Sequence, residues 1–127
     1  MIVGVGIDLV EIARLERMLG SKGTHAFRRL FTDAEVAYAT GRARPAMHLA
    51  ARVAAKEAAF KALAGTDAAR AIGWREVEVR STPGEPPTLS FHGRAAARAS
   101  ELGVIQVHVS LTHTDVTAGA VVVLEAR

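Results

Sequence analysis

Pro45-Ala46-Met47-His48-Leu49-Ala50-Ala51-Arg52-Val53-Ala54-Ala55-Lys56-Glu57-Ala58-Ala59-Phe60-Lys61-Ala62-Leu63-Ala64 is a run rich in helix formers, headed by proline and followed by Gly65. Proline suits a first helical turn because the amide it lacks would have no partner there, and glycine suits the exit. The stretch therefore predicts one long helix over 45–64. Most of its residues are Ala, Val, Leu and Phe, so the helix is expected to lie inside the molecule rather than on its surface.

The flanks decide the class. Upstream, Ile2-Val3-Gly4-Val5-Gly6-Ile7 reads as a short strand ended by Asp8. Leu9, Ile12, Leu15 and Leu19 then repeat with helical spacing, and Asp8 and Glu11 have the spacing of a capping box. Gly20 and Gly23 close that helix, and a shorter one is expected over 24–30. Thr32-Asp33-Ala34-Glu35 opens another, to Thr40, before a basic linker over 41–44. From Trp74 the period becomes two, Val77 and Val79 alternating with Glu76, Glu78 and Arg80, which reads as a strand. Pro83-Gly84-Glu85-Pro86-Pro87 is a turn, with a strand over 88–91 beyond it. A helix over 93–102 and two strands over 104–111 and 117–124, joined by a tight turn at Thr114-Asp115, complete the chain. Strands and helices do not alternate regularly, so the class is α+β rather than a doubly wound sheet.

A chain of 127 residues, 50% hydrophobic and 23% charged, has the size and balance of one domain over 1–127, and too much apolar content for disorder. No apolar run approaches the roughly 20 residues of a membrane span, and no export signal opens the chain, so a cytoplasmic protein without a membrane partner is expected. With no cysteine there is neither disulfide nor thiolate metal site. Of the 16 basic residues 13 are Arg, a fork of donors suited to phosphate and carboxylate, which points to an anionic ligand or acidic partner. A GC-rich genome would give the same bias. Aromatics at 5% argue against base stacking, so no nucleic acid is expected. A domain of this size buries only about 65% of its chain surface, which makes an oligomer natural.

Three segments can carry chemistry. Asp8 stands where the first strand ends, able to present a carboxylate or to cap a helix. On the long helix, Glu57 and Lys61 share a face, as do Arg52 and Lys56. An apolar helix that retains one carboxylate among three cations suits a metal beside phosphate, whereas a solvated helix would hold an ordinary ion pair. His113 continues the apolar face of Val107, Val109 and Leu111 and emerges at the strand end. Neither a Walker phosphate loop nor a G-x-S-x-G elbow is present. Two carboxylates and several cations leave Mg²⁺-assisted chemistry on a phosphate-bearing ligand.

Taken together, Gly4-Val5-Gly6-Ile7-Asp8-Leu9-Val10-Glu11-Ile12, the Arg52 to Leu63 block, Ser110-Leu111-Thr112-His113 and, more weakly, Leu30-Phe31-Thr32-Asp33-Ala34-Glu35 resemble the holo-acyl-carrier-protein synthases, the small 4′-phosphopantetheinyl transferases. The resemblance runs over nearly the whole chain in order, spacing and length. It implies that family's fold, a mostly antiparallel sheet packed on a long central helix with shorter helices around it. It also implies transfer of the phosphopantetheine arm of coenzyme A to a serine of an acidic apo acyl carrier protein, releasing adenosine 3′,5′-bisphosphate, in support of fatty acid or polyketide synthesis. On this resemblance Asp8 and Glu57 bind Mg²⁺, and Lys61 neutralises the pyrophosphate or protonates the leaving group. Arg52 and Lys56 contact phosphate or hold the helix. Glu57, a metal-bound water and His113 are all able to take the serine proton; the preferred assignment gives it to the carboxylate or the water, with His113 positioning coenzyme A. Arg44, with Arg42 as a nearby substitute, lies by the 3′-phosphate; Gly65 and Thr66 form a contact loop and Pro86 an adenine wall. Arg14, Met18 and Arg28 dock the carrier, with Arg17 and Lys22 beside them. The family is typically a homotrimer with coenzyme A sites between subunits, which would give the C-terminal valines an interface to line. Two departures stand out: Ala64 intervenes where the family commonly has Gly directly after Lys-Ala-Leu, shifting the loop by one residue, and Ser-Leu-Thr-His replaces the more usual Ser-Ile-Ser-His.

The rivals are an Arg-based nucleic-acid binder, a small Mg²⁺ phosphohydrolase or nuclease that uses water as nucleophile, and a relative that binds coenzyme A without transfer.

Overall fold

In the computed structural model, which describes residues 1–20 and 24–127, helix α4 (Pro45–Leu63) is the element around which the others gather. It packs against both sheets and against α1 (Ile12–Gly20), α3 (Asp33–Thr40) and α5 (Gly93–Glu101). Thirteen of its side chains, Arg52 and Lys56 among them, are buried. The apolar run thus behaves as its composition predicts. The remaining helix, α2 (Thr24–Leu30), precedes α3, whose start is the expected capping box. There Thr32 Oγ1 accepts from the Glu35 amide at 3.3 Å, and Glu35 Oε1 accepts from the Thr32 amide at 2.8 Å.

The larger sheet is antiparallel, ordered β1 (Ile2–Glu11), β5 (Thr117–Ala126), β4 (Val104–His113). β2 (Val77–Arg80) and β3 (Thr88–Phe91) form a separate two-stranded sheet. A short 3₁₀ turn at Trp74–Glu76 precedes β2, so the strand expected from Trp74 starts three residues later.

One boundary differs in kind. The helix expected over 9–19 with Asp8 as its cap begins three residues late: β1 continues through Glu11, and Asp8 pairs with Ala120 inside the ladder. The reason is a two-residue period that the helical spacing of the leucines obscured. Gly4, Gly6, Asp8 and Val10 all face α4, and a Cβ on Gly4 or Gly6 would overlap the backbone of Ala62 or Ala58. Strand and helix therefore meet backbone to backbone. α1 begins only at Ile12, whose amide donates to Val116 O at 2.9 Å, and its buried stripe is Ile12, Leu15 and half-buried Met18. Leu9 points the other way, 70% exposed, beside Val5 at 58% and Ile7 at 65%. The expected stop at Gly23 and the docking candidate Lys22 lie outside the described residues.

Candidate active site

Two groups of side chains flank α4. The first is built by β1 and the C-terminal half of the helix. Because Asp8 is on the inward face of β1, its carboxylate meets Glu57 and Lys61, which stand one turn apart. Lys61 Nζ donates to Ile7 O at 2.8 Å and to Asp8 Oδ1 at 3.0 Å. Asp8 Oδ2 is buried with no hydrogen-bond donor among the described residues, apart from a proton on the Glu57 carboxyl within reach of it. Burial, then the hydrogen bond to Asp8 and its charge, push the Glu57 carboxyl up to about 7. Burial works against ionising Asp8 as well, but the hydrogen bonds from Glu57 and Lys61 together with the Lys61 charge hold it below the usual carboxylate range. Arg14 of α1 is 3.9 Å from Glu57 Oε1.

Such a pair of carboxyls, one with an orphaned oxygen and the other reluctant to ionise, is relieved by either a shared proton or a bound cation. Two oxygen donors without nitrogen or sulfur suit a hard divalent ion of the Mg²⁺ kind, which takes one or two carboxylates and keeps the rest of its shell for water and phosphate. Among the described residues no group of three or more His, Asp or Glu side chains gathers to form a fuller cage.

The second group lines a cavity of about 440 Å³ beside the N-terminal half of α4, walled by Tyr38, Arg42, His48, Arg52, Ser81 and His113. The guanidiniums of Arg42 and Arg52 stack on the Tyr38 ring, 4.1 and 4.3 Å from its centre. Arg52 is almost wholly buried, donates to His48 O at 3.1 Å and Ser81 Oγ at 2.6 Å, and keeps a buried Nε with no partner among the described residues. Burial, then the charges of Arg52, Arg42 and His113, hold His48 below its ordinary value. A hydrogen bond from Arg42, with its charge and that of Arg52, does the same to the Tyr38 hydroxyl. A pocket that disfavours further positive charge is a pocket for an anion. His113 reaches it from the end of β4, with Nδ1 3.3 Å from Thr114 O.

Other candidates fall elsewhere. Lys56 is fully buried: it pairs with Glu35 Oε1 at 2.9 Å and donates to Trp74 O and Val77 O. Of its two expected roles it has the second, holding elements together, and no donor remains for a ligand. Burial pulls its pKa down and the Glu35 charge opposes the fall. Arg44 turns onto the β4–β5 turn, donating to Asp115 O at 3.1 Å. Pro83 and Pro87 wall the cationic cavity, whereas Pro86 is exposed in the turn between them. Thr66 and Lys61 border a separate, largely apolar cavity of about 430 Å³ with Phe60, Ile72 and Trp74. Gly65, at φ +127°, makes the bend between helix and loop. Arg14, Arg17 and Arg28 are exposed and Met18 is half-buried. Tyr38, His48 and Ser81 were not singled out in the sequence, although Tyr38 is the chain's single tyrosine.

Within one chain the two groups are apart. Asp8 is on one edge strand and His113 on the other, with β5 between them, a separation near 10 Å at the usual strand spacing. Along α4, Arg52 and Lys61 are about 13 Å apart by helical rise.

A family model described as the 4′-phosphopantetheinyl transferase superfamily matches residues 4–121. The chain belongs to that superfamily. A holo-[acyl-carrier-protein] synthase of Thermus thermophilus is 50% identical over 127 residues, covering 100% of this chain and 96% of the relative. Among solved structures, the holo-(acyl-carrier-protein) synthase of Bacillus anthracis in complex with CoA (3′,5′-ADP) is 35% identical with TM-score 0.77, covering 100% of this chain and 99% of that one. The synthase of Neisseria meningitidis is 28% identical with TM-score 0.83, covering 98% and 99%. Within the phosphopantetheinyl transferases the chain is thus an enzyme of the holo-[acyl-carrier-protein] synthase kind. The α+β expectation and the long central helix hold.

Proposed function

We propose that this transferase moves 4′-phosphopantetheine from coenzyme A to a serine of an acidic apo acyl carrier protein in a Mg²⁺-dependent reaction serving fatty acid or polyketide synthesis in the cytoplasm. The observation that carries the reading is the meeting of Asp8, Glu57 and Lys61, with Asp8 Oδ2 unsatisfied. The two carboxyls are the donors for Mg²⁺, which when bound supplies positive charge against the pyrophosphate. Lys61, already over the Asp8 carboxylate, neutralises the phosphate that departs as the serine oxygen attacks the β-phosphorus. The Glu57 carboxylate, or a water held beside it, takes the serine proton. In the cationic cavity Arg42, Arg52 and His113 hold the 3′-phosphate end of the donor. Arg14, Met18 and Arg28 meet the acidic carrier.

Because the carboxylates and the cationic cavity are apart in one chain, the reading includes a homotrimer in which the cavity of one copy adjoins the carboxylates of the next. The exposed row Val5, Ile7 and Leu9, paired across the sheet with Val123, Val121 and Gly119, supports it: apolar surface of this extent calls for cover.

The test is intact-protein mass spectrometry of an apo carrier incubated with the enzyme, coenzyme A and Mg²⁺. A gain of one phosphopantetheine, lost on adding EDTA, is expected. A carrier unchanged in mass while coenzyme A is hydrolysed would instead favour water as the nucleophile.

A further inference from the structure

α4 ends in an unusual way. Its last carbonyls need donors, and a glycine in the left-handed conformation directly after the helix commonly supplies them by turning the chain back. Here the C-cap Ala64 is extended (φ −61°, ψ 166°), and Gly65 beyond it, at φ +127°, lies far from the left-handed helical value, so that turn is not made. The Ala64 amide returns to Lys61 O at 3.4 Å. Leu63 O and Ala64 O are taken by a side chain from another element. Arg98 of α5 donates through Nε to Leu63 O at 2.7 Å and through a terminal nitrogen to Ala64 O at 3.0 Å. That same nitrogen is 3.1 Å from where a Cβ on Gly65 would stand.

Arg98 occupies the inward stripe of α5, between buried Ala95 and Ala99, where an apolar residue would be the ordinary choice. Its guanidinium replaces packing with a two-pronged clasp, and its charge meets the negative end of the α4 dipole. The clasped segment begins two residues after Lys61 and ends one before Gly65-Thr66, and Lys61 and Thr66 border the cavity that contains Trp74.

We propose that Arg98 is a positioning residue for the donor substrate: it fixes the end of α4 so that Lys61 and the Gly65-Thr66 loop meet the phosphates of coenzyme A. The clasp supplies the donors that a left-handed glycine turn would otherwise bring to the end of α4. This rests on the proposed transfer reaction for what Lys61 contacts, while the clasp itself rests on the hydrogen bonds alone.

The test compares wild type, Arg98→Met, which keeps bulk without donors, and Arg98→Lys, which keeps charge without the fork. Steady-state transfer gives KM for coenzyme A and for carrier separately. Fluorescence of Trp74, the only tryptophan, gives the dissociation constant for coenzyme A without turnover. Losing two hydrogen bonds to the loop is expected to raise KM and the dissociation constant for coenzyme A about 5-fold in Arg98→Met. KM for carrier is expected to stay unchanged, and Arg98→Lys to restore only part of the loss. A lowered Tm with both coenzyme A constants unchanged would overturn the proposal, leaving Arg98 a purely structural cap. If Arg98→Met does not fold, the same comparison stands on Arg98→Lys. A wild-type chain that binds coenzyme A but transfers nothing would defeat the transfer reading while the fluorescence titration still decides on Arg98. One that binds no coenzyme A would overturn both.

Discussion

Glu57 holds a proton near neutrality because burial disfavours its charge, and because its proton is hydrogen-bonded to Asp8, whose own negative charge lies beside it. The consequence for stability has a definite sign. Its folded pKa, about 7, lies above the ordinary 4.5, so between those values the folded chain binds more protons than the unfolded one. Stability should therefore fall as pH rises through that window and level off above it. Asp8 acts oppositely and in a different window: its lowered value contributes stability that is lost only as pH falls below the ordinary 3.8. With no divalent ion present, the Tm of wild type relative to Glu57→Gln should drop from about pH 5 to about pH 8, a difference in which the opposite contribution of His48 cancels. Mg²⁺ should raise wild type more at the upper end, since the ion must displace the proton. A Mg²⁺-induced shift independent of pH would contradict the assignment. Glu57→Gln separates stability from activity. It should abolish transfer while raising Tm above wild type in metal-free buffer near pH 8, the usual relation between a strained functional group and its neutral replacement.

At the scale of elements, the crossing of β1 and α4 is the feature on which the site depends. Gly6 is where the backbones touch, and its missing Cβ lets Asp8, two residues on, reach Glu57. Gly6→Ala must push strand and helix apart against the Ala58 backbone, which cannot yield as a flexible side chain would. A loss of about 3 kcal/mol in urea denaturation is expected, with transfer impaired more than 10-fold. Lys56→Met probes the other side of α4. It strands the Glu35 carboxylate without its cation, so a cost of about 3 kcal/mol or more is expected on the same assay. How far these elements could be read in advance follows from how local their causes are. The capping box at Thr32 and the proline start of α4 are decided within one turn of chain, and both stand where the sequence puts them. The end of β1 depends on ladder partners more than a hundred residues away and on α4 above it, so the local sequence favours Asp8 as a helix cap, and its place inside the strand emerges only with those partners. Asp8, Glu57 and Lys61 were visible as residue types at their spacing. Tyr38 and Ser81 were not, because their roles come only from Arg42 and Arg52 stacking on one and Arg52 reaching the other. Glu35 was read as a cap, and its second oxygen, bonded to the Val79 amide at 2.8 Å, has no local signature.

For the whole molecule, the separation of carboxylates from cations makes the proposed trimer a matter of catalysis as well as of solubility. Ile7→Asp introduces a charge into the exposed apolar row without touching the inward face of β1. It should give a smaller species by sedimentation, with a near-normal Tm and little transfer. Loss of trimer with full activity would mean that one chain suffices. Complementation asks the same question directly. Glu57→Gln and His113→Ala are each expected to be inactive, one through the carboxylate half and the other through the cation half. If every site joins one half from each of two neighbouring copies, a site is intact when its carboxylate half comes from a His113→Ala chain and its cation half from a Glu57→Gln chain. Equal random mixing gives each condition a chance of one half, so about a quarter of the sites should be whole. Co-refolding the two inactive variants should then recover about a quarter of wild-type turnover, whereas a site confined to one chain would recover none.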